Sequence, residues 1–123
     1  MTASVLIADD HASWRDSLRS ILKTQPEIWD IIGEASDGQE AVEQATEMQP
    51  DIILLDVGMP HVDGIQAARI IRQSSPKSRI VFVTQEGDVD VRNAAMEVGA
   101  VGYVLKTHAG KDLLDVITAT LCR

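Results

Sequence analysis

Cysteine is nearly missing from this 123-residue chain, since Cys122 is the only one. A single cysteine cannot form an internal disulfide, which fits a reducing compartment such as the cytoplasm. No apolar run approaches the roughly 18 residues that a membrane span requires, and no basic region precedes an apolar stretch at the N-terminus, as a secretory signal would require. These absences predict a cytoplasmic location and no contact with a membrane.

Basic residues are also scarce and form no run. Lysine and arginine total 11 against 19 aspartates and glutamates, so the net charge is −8 and the isoelectric point is about 4.7. This charge argues against direct contact with nucleic acid, and a role at DNA would depend on residues outside this chain. Hydrophobic residues make up 45% of the sequence, enough for a real core. We therefore expect one folded domain over residues 1–123.

Five short apolar runs, rich in branched residues and not alternating with polar ones, have the pattern of strands that are buried on both faces. They lie at residues 5–8, 31–32, 52–55, 80–83 and 101–105. Apolar residues at helical spacing separate them, beginning with Trp14, Leu18, Ile21 and Leu22. Repeated alternation of strand and helix predicts an α/β fold with a parallel sheet and helices on both of its faces.

Two helix starts are predicted from capping patterns. Ser36 with Gln39 is typical of a capping box, and Asp63 with Gln66 indicates an N-cap.

Four of the predicted strands end in side chains that can handle a phosphoryl group. The first strand is followed by Asp9 and Asp10, the third by Asp56, the fourth ends at Thr84 and the fifth is followed by Lys106. Because the carboxyl ends of parallel strands meet at one edge of a sheet, these side chains are expected to share a shallow site.

Three carboxylates in one site repel each other, by roughly 4 kcal/mol for a pair about 4 Å apart at an effective dielectric near 20. Such a set usually holds a cation, and oxygen ligands suit Mg²⁺. Lys106 opposite these acids would neutralise one of them or an incoming phosphate. Taken singly, each residue also has an ordinary interpretation: a capping loop for Asp9 and Asp10, a strand residue for Thr84 and a strand terminator for Lys106.

The motifs at these strand ends resemble, in order and spacing, the receiver domains of two-component response regulators. They are LIADDH at residues 6–11, LLDVGMPHVDG at 54–64, VT at 83–84 and GYVLK at 102–106. The resemblance implies a single five-stranded, doubly wound, flavodoxin-like domain with strand order 2-1-3-4-5. It also implies a signalling switch that accepts a phosphoryl group from a histidine kinase or a small phosphodonor. Such a protein is not an enzyme in the usual sense, because it catalyses only its own phosphorylation and dephosphorylation.

The resemblance assigns a role to each matching position. Asp56 would be the phosphoacceptor. Asp10, Asp56 and the backbone carbonyl of Gly58 would ligate Mg²⁺, and Asp9 would help through a bound water. These roles agree with the chemistry of the residues, because a carboxylate attacks phosphorus only when the negative charges on both groups are screened.

Three further residues complete the implied machinery. Thr84 would donate a hydrogen bond to the phosphoryl group, and Lys106 would pair with it. Tyr103 stands where the family places an aromatic residue that changes rotamer on activation. The phosphoryl group would thereby change the surface around the fourth helix and fifth strand and so control an effector.

Two positions depart from the usual receiver pattern. Gln85 follows Thr84 where most receivers have a small residue, and we expect it to narrow access to the acceptor or to alter the lifetime of the acyl phosphate. Thr107 follows Lys106 where many receivers have proline. Together with the Asp9–Asp10–His11 sequence, this resembles the LuxR/NarL-type subgroup, which implies a C-terminal helix-turn-helix effector domain outside this chain, or a self-dimer, as a partner.

Three alternatives remain open at this stage. A haloacid-dehalogenase-type phosphatase needs a second acid two residues after its nucleophile, where this chain has Gly58. A flavodoxin-like binding module needs a first loop of Gly, Ser and Thr to hold phosphate, where this chain has Asp9 and Asp10. The third is a receiver-like scaffold that binds protein without phosphate.

The remaining histidines and tryptophans have unremarkable interpretations. His11, His61 and His108 are interpreted as solvated loop residues, and Trp14 and Trp29 as packing residues beneath helices.

Overall fold

Five parallel strands form one sheet in the order β2-β1-β3-β4-β5 in the computed structural model, which describes residues 2–121. This order and the parallel direction confirm the predicted flavodoxin-like fold. The strands are β1 (Ala3–Ala8), β2 (Trp29–Ala35), β3 (Ile52–Leu55), β4 (Arg79–Thr84) and β5 (Gly102–Leu105).

Each strand leads through a loop into a helix, as the alternation of patterns predicts. The helices are α1 (Ala12–Leu22), α2 (Gly38–Met48), α3 (Gly64–Ser74), α4 (Val89–Glu97) and α5 (Ala109–Leu121), and a short 3-10 turn (Lys106–His108) precedes α5. The described part of the chain contains no helix that is long and apolar enough to cross a membrane.

The sheet separates two hydrophobic clusters, because successive strand side chains point to opposite faces. In β3, Ile53 and Leu55 face the cluster under α2, α3 and α4, whereas Ile52 and Leu54 face the cluster under α1 and α5. All four are fully buried. Burial on both faces explains why the strand sequences are continuously apolar.

Helix starts fix where the loops at the carboxyl edge turn. Asp63 is the N-cap of α3, and its carboxylate accepts a hydrogen bond of 2.9 Å from the Gln66 amide, which confirms the prediction. The predicted capping box at Ser36 is wrong by one residue. Asp37 is the N-cap of α2 and accepts a hydrogen bond of 2.8 Å from the Glu40 amide.

Candidate functional site

Two of the acids continue the parallel ladder beyond their strands. The Asp9 amide donates to the Ala35 carbonyl of β2, and the Asp56 amide donates to the Ala8 carbonyl of β1, each over 3.0 Å. Both carboxylates are buried at the same edge of the sheet. Backbone pairing therefore holds the two acids side by side even though 47 positions of sequence separate them, as the sequence predicts for strand ends.

Lys106 brings the opposite charge into the same place. Its Nζ lies 2.7 Å from Asp9 Oδ2 and 3.1 Å from Asp56 Oδ2, and the residue is only 4% exposed. The contact with Asp56 is a directed hydrogen bond, whereas the contact with Asp9 is a close ion pair whose geometry leaves that oxygen without one. The buried ammonium is therefore shared between the two carboxylates and is not bound by either of them alone.

The environment of Asp56 disfavours the negative charge of its carboxylate. Burial raises the pKa of its carboxyl above the ordinary value, and the neighbouring charge of Asp9 raises it further. The ammonium of Lys106 and the hydroxyl of Thr84 oppose this increase. Because the effect of burial on this pKa is larger than the effect of these two partners, an additional positive charge nearby would stabilise the carboxylate of Asp56.

The donor set fits a hard divalent cation. Asp9 Oδ2 and Asp10 Oδ1 are both buried, and neither accepts a hydrogen bond within residues 2–121. Ligand atoms of Asp9, Asp10, His11 and Asp56 all lie within 4.8 Å of one another. Carboxylate oxygens without donors are what Mg²⁺ prefers, so the residues fit the predicted metal.

His11 corrects one sequence interpretation. Its side chain is 61% exposed, but its Nδ1 lies 3.0 Å from Asp10 Oδ1 and 3.4 Å from Asp9 Oδ1. It therefore borders the acidic cluster instead of being merely a solvated loop residue. The sequence gives no signal for this, because a histidine after two aspartates is equally consistent with a helix-capping loop.

The loop after β3 places its backbone at the pocket. The Gly64 amide donates to the Val57 carbonyl over 2.7 Å, and a Cβ at Gly64 would lie 1.9 Å from the Asp56 carbonyl oxygen. Only glycine allows α3 to begin so close to Asp56. Gly58 is exposed at the pocket with open space around it, so its carbonyl lies on an accessible loop.

A small cavity of about 160 Å³ opens onto Asp56. Its lining residues lie at or just after the ends of β1, β3, β4 and β5; they are His11, Asp56, Gly58, Thr84, Gln85, Glu86 and Lys106. Gln85 is exposed and lines this cavity, so it stands in the approach to Asp56.

One residue, Glu86, connects Thr84 to Tyr103 through its backbone amide and its backbone carbonyl. The Glu86 amide donates to Thr84 Oγ1 over 3.2 Å, and the Glu86 carbonyl accepts a short hydrogen bond from the Tyr103 hydroxyl. Burial raises the pKa of that hydroxyl, and the charge of Glu86 raises it further. The Arg92 guanidinium lies 5.8 Å from the centre of the Tyr103 ring. The two side chains predicted to act together are therefore joined through Glu86, which sequence reasoning missed.

Trp14 is a third residue, after His11 and Glu86, that the sequence did not assign to the site. Lys106 Nζ lies 5.0 Å from the centre of its indole ring. Helical spacing with Leu18 and Leu22 indicated a packing residue, and no sequence signal reveals a contact with a lysine 92 positions away.

The fold and the site together define a class: a doubly wound α/β domain with an acidic, lysine-containing pocket at the carboxyl edge of its sheet. The chain belongs to the response regulator receiver domain family, whose sequence pattern matches residues 5–118.

The chain is also similar to individual proteins and solved structures of this family. It is 41% identical over 115 residues to the transcriptional regulatory protein LiaR of Bacillus subtilis, covering 94% of this chain and 54% of LiaR. Among solved structures, a LuxR-family two-component response regulator from Aurantimonas has a TM-score of 0.92 and 34% identity, covering 99% of this chain and 86% of that one. A chain of the CheX–CheY–BeF3–Mg complex of Borrelia burgdorferi has a TM-score of 0.90 and 26% identity, covering 97% and 89%.

These similarities support a receiver domain of the LuxR/NarL subgroup. This chain spans about half the length of LiaR.

Proposed function

We propose that the chain is a phosphorylation-dependent switch in which Asp56 accepts a phosphoryl group. The observation that supports this most strongly is the buried group of Asp56, Asp9 and Lys106 at the end of a cavity. An ion pair alone would not need an opening to solvent. An acceptor needs both a reachable carboxylate and a cation that can move from a neighbouring acid to the incoming group.

Asp10, Asp56 and the Gly58 carbonyl are the proposed Mg²⁺ ligands, and Asp9 acts through a bound water. The oxygens of Asp9 and Asp10 that lack hydrogen-bond donors support this set. When bound, the metal would supply charge screening for the acceptor and the phosphoryl oxygens. It would also relieve the repulsion that raises the pKa of Asp56.

In the proposed transfer, a carboxylate oxygen of Asp56 attacks the phosphorus of a phosphohistidine or of acetyl phosphate. The new O–P bond forms as the bond to the histidine nitrogen or the acetate oxygen breaks, and the leaving group keeps that electron pair. Lys106 is already within hydrogen-bond distance of Asp56 and can follow the developing charge. Thr84 lines the same cavity and is positioned to donate to a phosphoryl oxygen.

The proposed switch depends on the backbone amide and carbonyl of Glu86. If Thr84 moves towards the phosphoryl group, its hydroxyl leaves the Glu86 amide, and the carbonyl of the same residue loses its position as acceptor for Tyr103. Tyr103 is then free to rotate, which changes the surface formed by α4 and β5. A phosphoryl group favours that arrangement only by the contacts it gains in it.

The proposed partners are a sensor histidine kinase in the cytoplasm and an effector. LiaR is a transcriptional regulatory protein and this chain covers 54% of it, which favours a C-terminal DNA-binding domain as the effector, with self-dimerisation as the alternative. The acidic charge of −8 leaves DNA contact to that effector.

Incubation with acetyl phosphate and Mg²⁺, followed by intact-mass analysis and peptide mapping, tests the proposal. We expect one phosphoryl group, on Asp56, and no labelling of the Asp56→Asn variant. Asp30→Asn is the matched control, because Asp30 is an exposed acid that pairs with Ser4 near the other end of β1. Labelling of Asp56→Asn at the wild-type level would refute the assignment.

A further inference from the structure

Trp14 is a large aromatic residue that does not belong to the core. It lies in the first turn of α1 and is partly exposed. Over residues 2–121, neither hydrophobic cluster includes it, although Leu18 and Leu22 of the same helix are buried in one of them. The apolar packing of the domain therefore does not account for this side chain.

Its contact is with the ammonium of the phosphoryl pocket. Lys106 Nζ lies 5.0 Å from the centre of the indole ring, within the range of a cation–π interaction. The same nitrogen lies 2.7 Å from Asp9 and 3.1 Å from Asp56. Three neighbours thus surround a cation that has three hydrogens to donate, and it is almost completely buried.

The indole differs from the two acids in a way that matters for transfer. A carboxylate accepts the ammonium along a directed bond and competes with a phosphoryl group for it. An aromatic face attracts the cation without a lone pair and over a range of positions, so it does not compete for a hydrogen. It can hold Nζ at the pocket while the ammonium hydrogens turn from the two acids to the phosphoryl oxygens.

We propose that Trp14 is a positioning residue for phosphoryl transfer, whose indole face keeps the Lys106 ammonium beside Asp56. This rests on the proposed function of Asp56. The role is specific to the ammonium: a phenyl ring at position 14 retains part of it, whereas an aliphatic side chain retains none.

The first test compares Trp14→Phe and Trp14→Leu in their rates of labelling by acetyl phosphate at saturating Mg²⁺. Loss of a cation–π contact predicts a maximal rate about three- to tenfold lower for Trp14→Leu, with partial recovery in Trp14→Phe. The acetyl phosphate concentration at half-maximal rate should change less, because Trp14 does not line the cavity. Denaturant unfolding verifies that both variants are folded.

The second test needs no phosphorylation. Trp29 lies in β2 opposite Ala3, at the far end of β1, and its indole donates to Gln25. Trp29→Phe therefore leaves Trp14 as the only tryptophan, which can be excited selectively over Tyr103. Adding Lys106→Met to that background should change the emission of Trp14, whereas Lys111→Met, which removes an exposed lysine of α5, should not.

The outcomes separate the two proposals. If wild type is labelled at Asp56 and Trp14→Leu is labelled at the same rate, or if Lys106→Met leaves the emission unchanged, Trp14 has no positioning role and the proposed function stands. If wild type is not labelled, the proposed function fails and this role fails with it.

Discussion

Asp56 is a carboxylate held where a charge is unfavourable. The pKa of its carboxyl is raised, mainly by burial and then by Asp9. A group whose pKa is higher in the folded than in the unfolded state binds more protons when folded, so stability falls as pH rises through that interval. The ionised carboxylate of Asp56 therefore lowers the stability of the metal-free protein.

Replacing Asp56 by Asn should accordingly stabilise the metal-free domain at neutral pH. The amide keeps the shape and removes the charge, while Lys106 retains its ion pair with Asp9. The increase in Tm should be largest above the raised pKa of Asp56 and should disappear below the ordinary value of 3.8. Thermal melts from pH 3 to pH 8 in EDTA would show this. An Asn variant that is less stable than wild type at neutral pH would contradict the argument.

Asp10 should be the main source of metal affinity. A ligand that binds only the folded state stabilises it by about 1.4 kcal/mol at ten times its dissociation constant. Added Mg²⁺ should therefore raise the Tm of wild type, and Asp10→Ala should lose most of that increase. Sodium chloride at equal ionic strength and Asp30→Ala are the controls. If millimolar Mg²⁺ does not raise the Tm of wild type, the acidic pocket is not a Mg²⁺ site.

At the scale of elements, the sequence predicts strands best where both faces are buried. β3 is predicted at its observed bounds, because residues 52–55 are all apolar and enclosed. β2 is predicted only at residues 31–32 but runs from Trp29 to Ala35. It is an edge strand with one partner, so the exposed Asp30 and the half-buried Glu34 are tolerated within it and interrupt the apolar pattern.

The start of α2 is likewise predicted only approximately, because two neighbouring residues are both suitable N-caps. Ser36 and Asp37 are both good N-caps by composition. Only the extended backbone of Asp37, at φ −152°, places a side-chain oxygen at the Glu40 amide. Ser36 instead contacts the Glu40 carboxylate over 3.1 Å. The choice between them depends on where the chain leaves β2, which no local pattern encodes.

This difference is measurable. Asp37→Ala should lower the free energy of unfolding by about 1 kcal/mol, the usual cost of losing an N-cap. Ser36→Ala should cost clearly less, because its contact is exposed. Urea unfolding of both variants decides between the two caps. An equal or larger loss in Ser36→Ala would support the capping box that the sequence suggested.

For the whole molecule, the site could be predicted because the fold converts strand order into proximity. The sequence predicts that five side chains meet at the carboxyl edge of four neighbouring strands, and they do: Asp9, Asp10, Asp56, Thr84 and Lys106. The contacts of Trp14, His11 and Glu86 were not predictable. They depend on loop paths and on side-chain directions, and their residue types have common alternative roles.

The topology also sets where a signal can go. β4 and β5 are neighbours, with Phe82 paired to Tyr103 and Thr84 paired to Leu105. The backbone amide and carbonyl of Glu86 link Thr84 to Tyr103, whose ring also contacts Arg92 of α4. A change at Asp56 would therefore have a short path to the surface of α4 and β5, whereas α2 packs on the same face at the opposite edge of the sheet, beside β2.

Amide NMR spectra recorded with Mg²⁺, before and after addition of beryllofluoride, test the central claim most directly. A phosphoryl mimic at Asp56 should shift the amides around Asp56 and Lys106 and also those from residues 86 to 105, and Asp56→Asn should show neither change. Shifts confined to the pocket would contradict the switch, and an unchanged wild-type spectrum would contradict the phosphoacceptor itself.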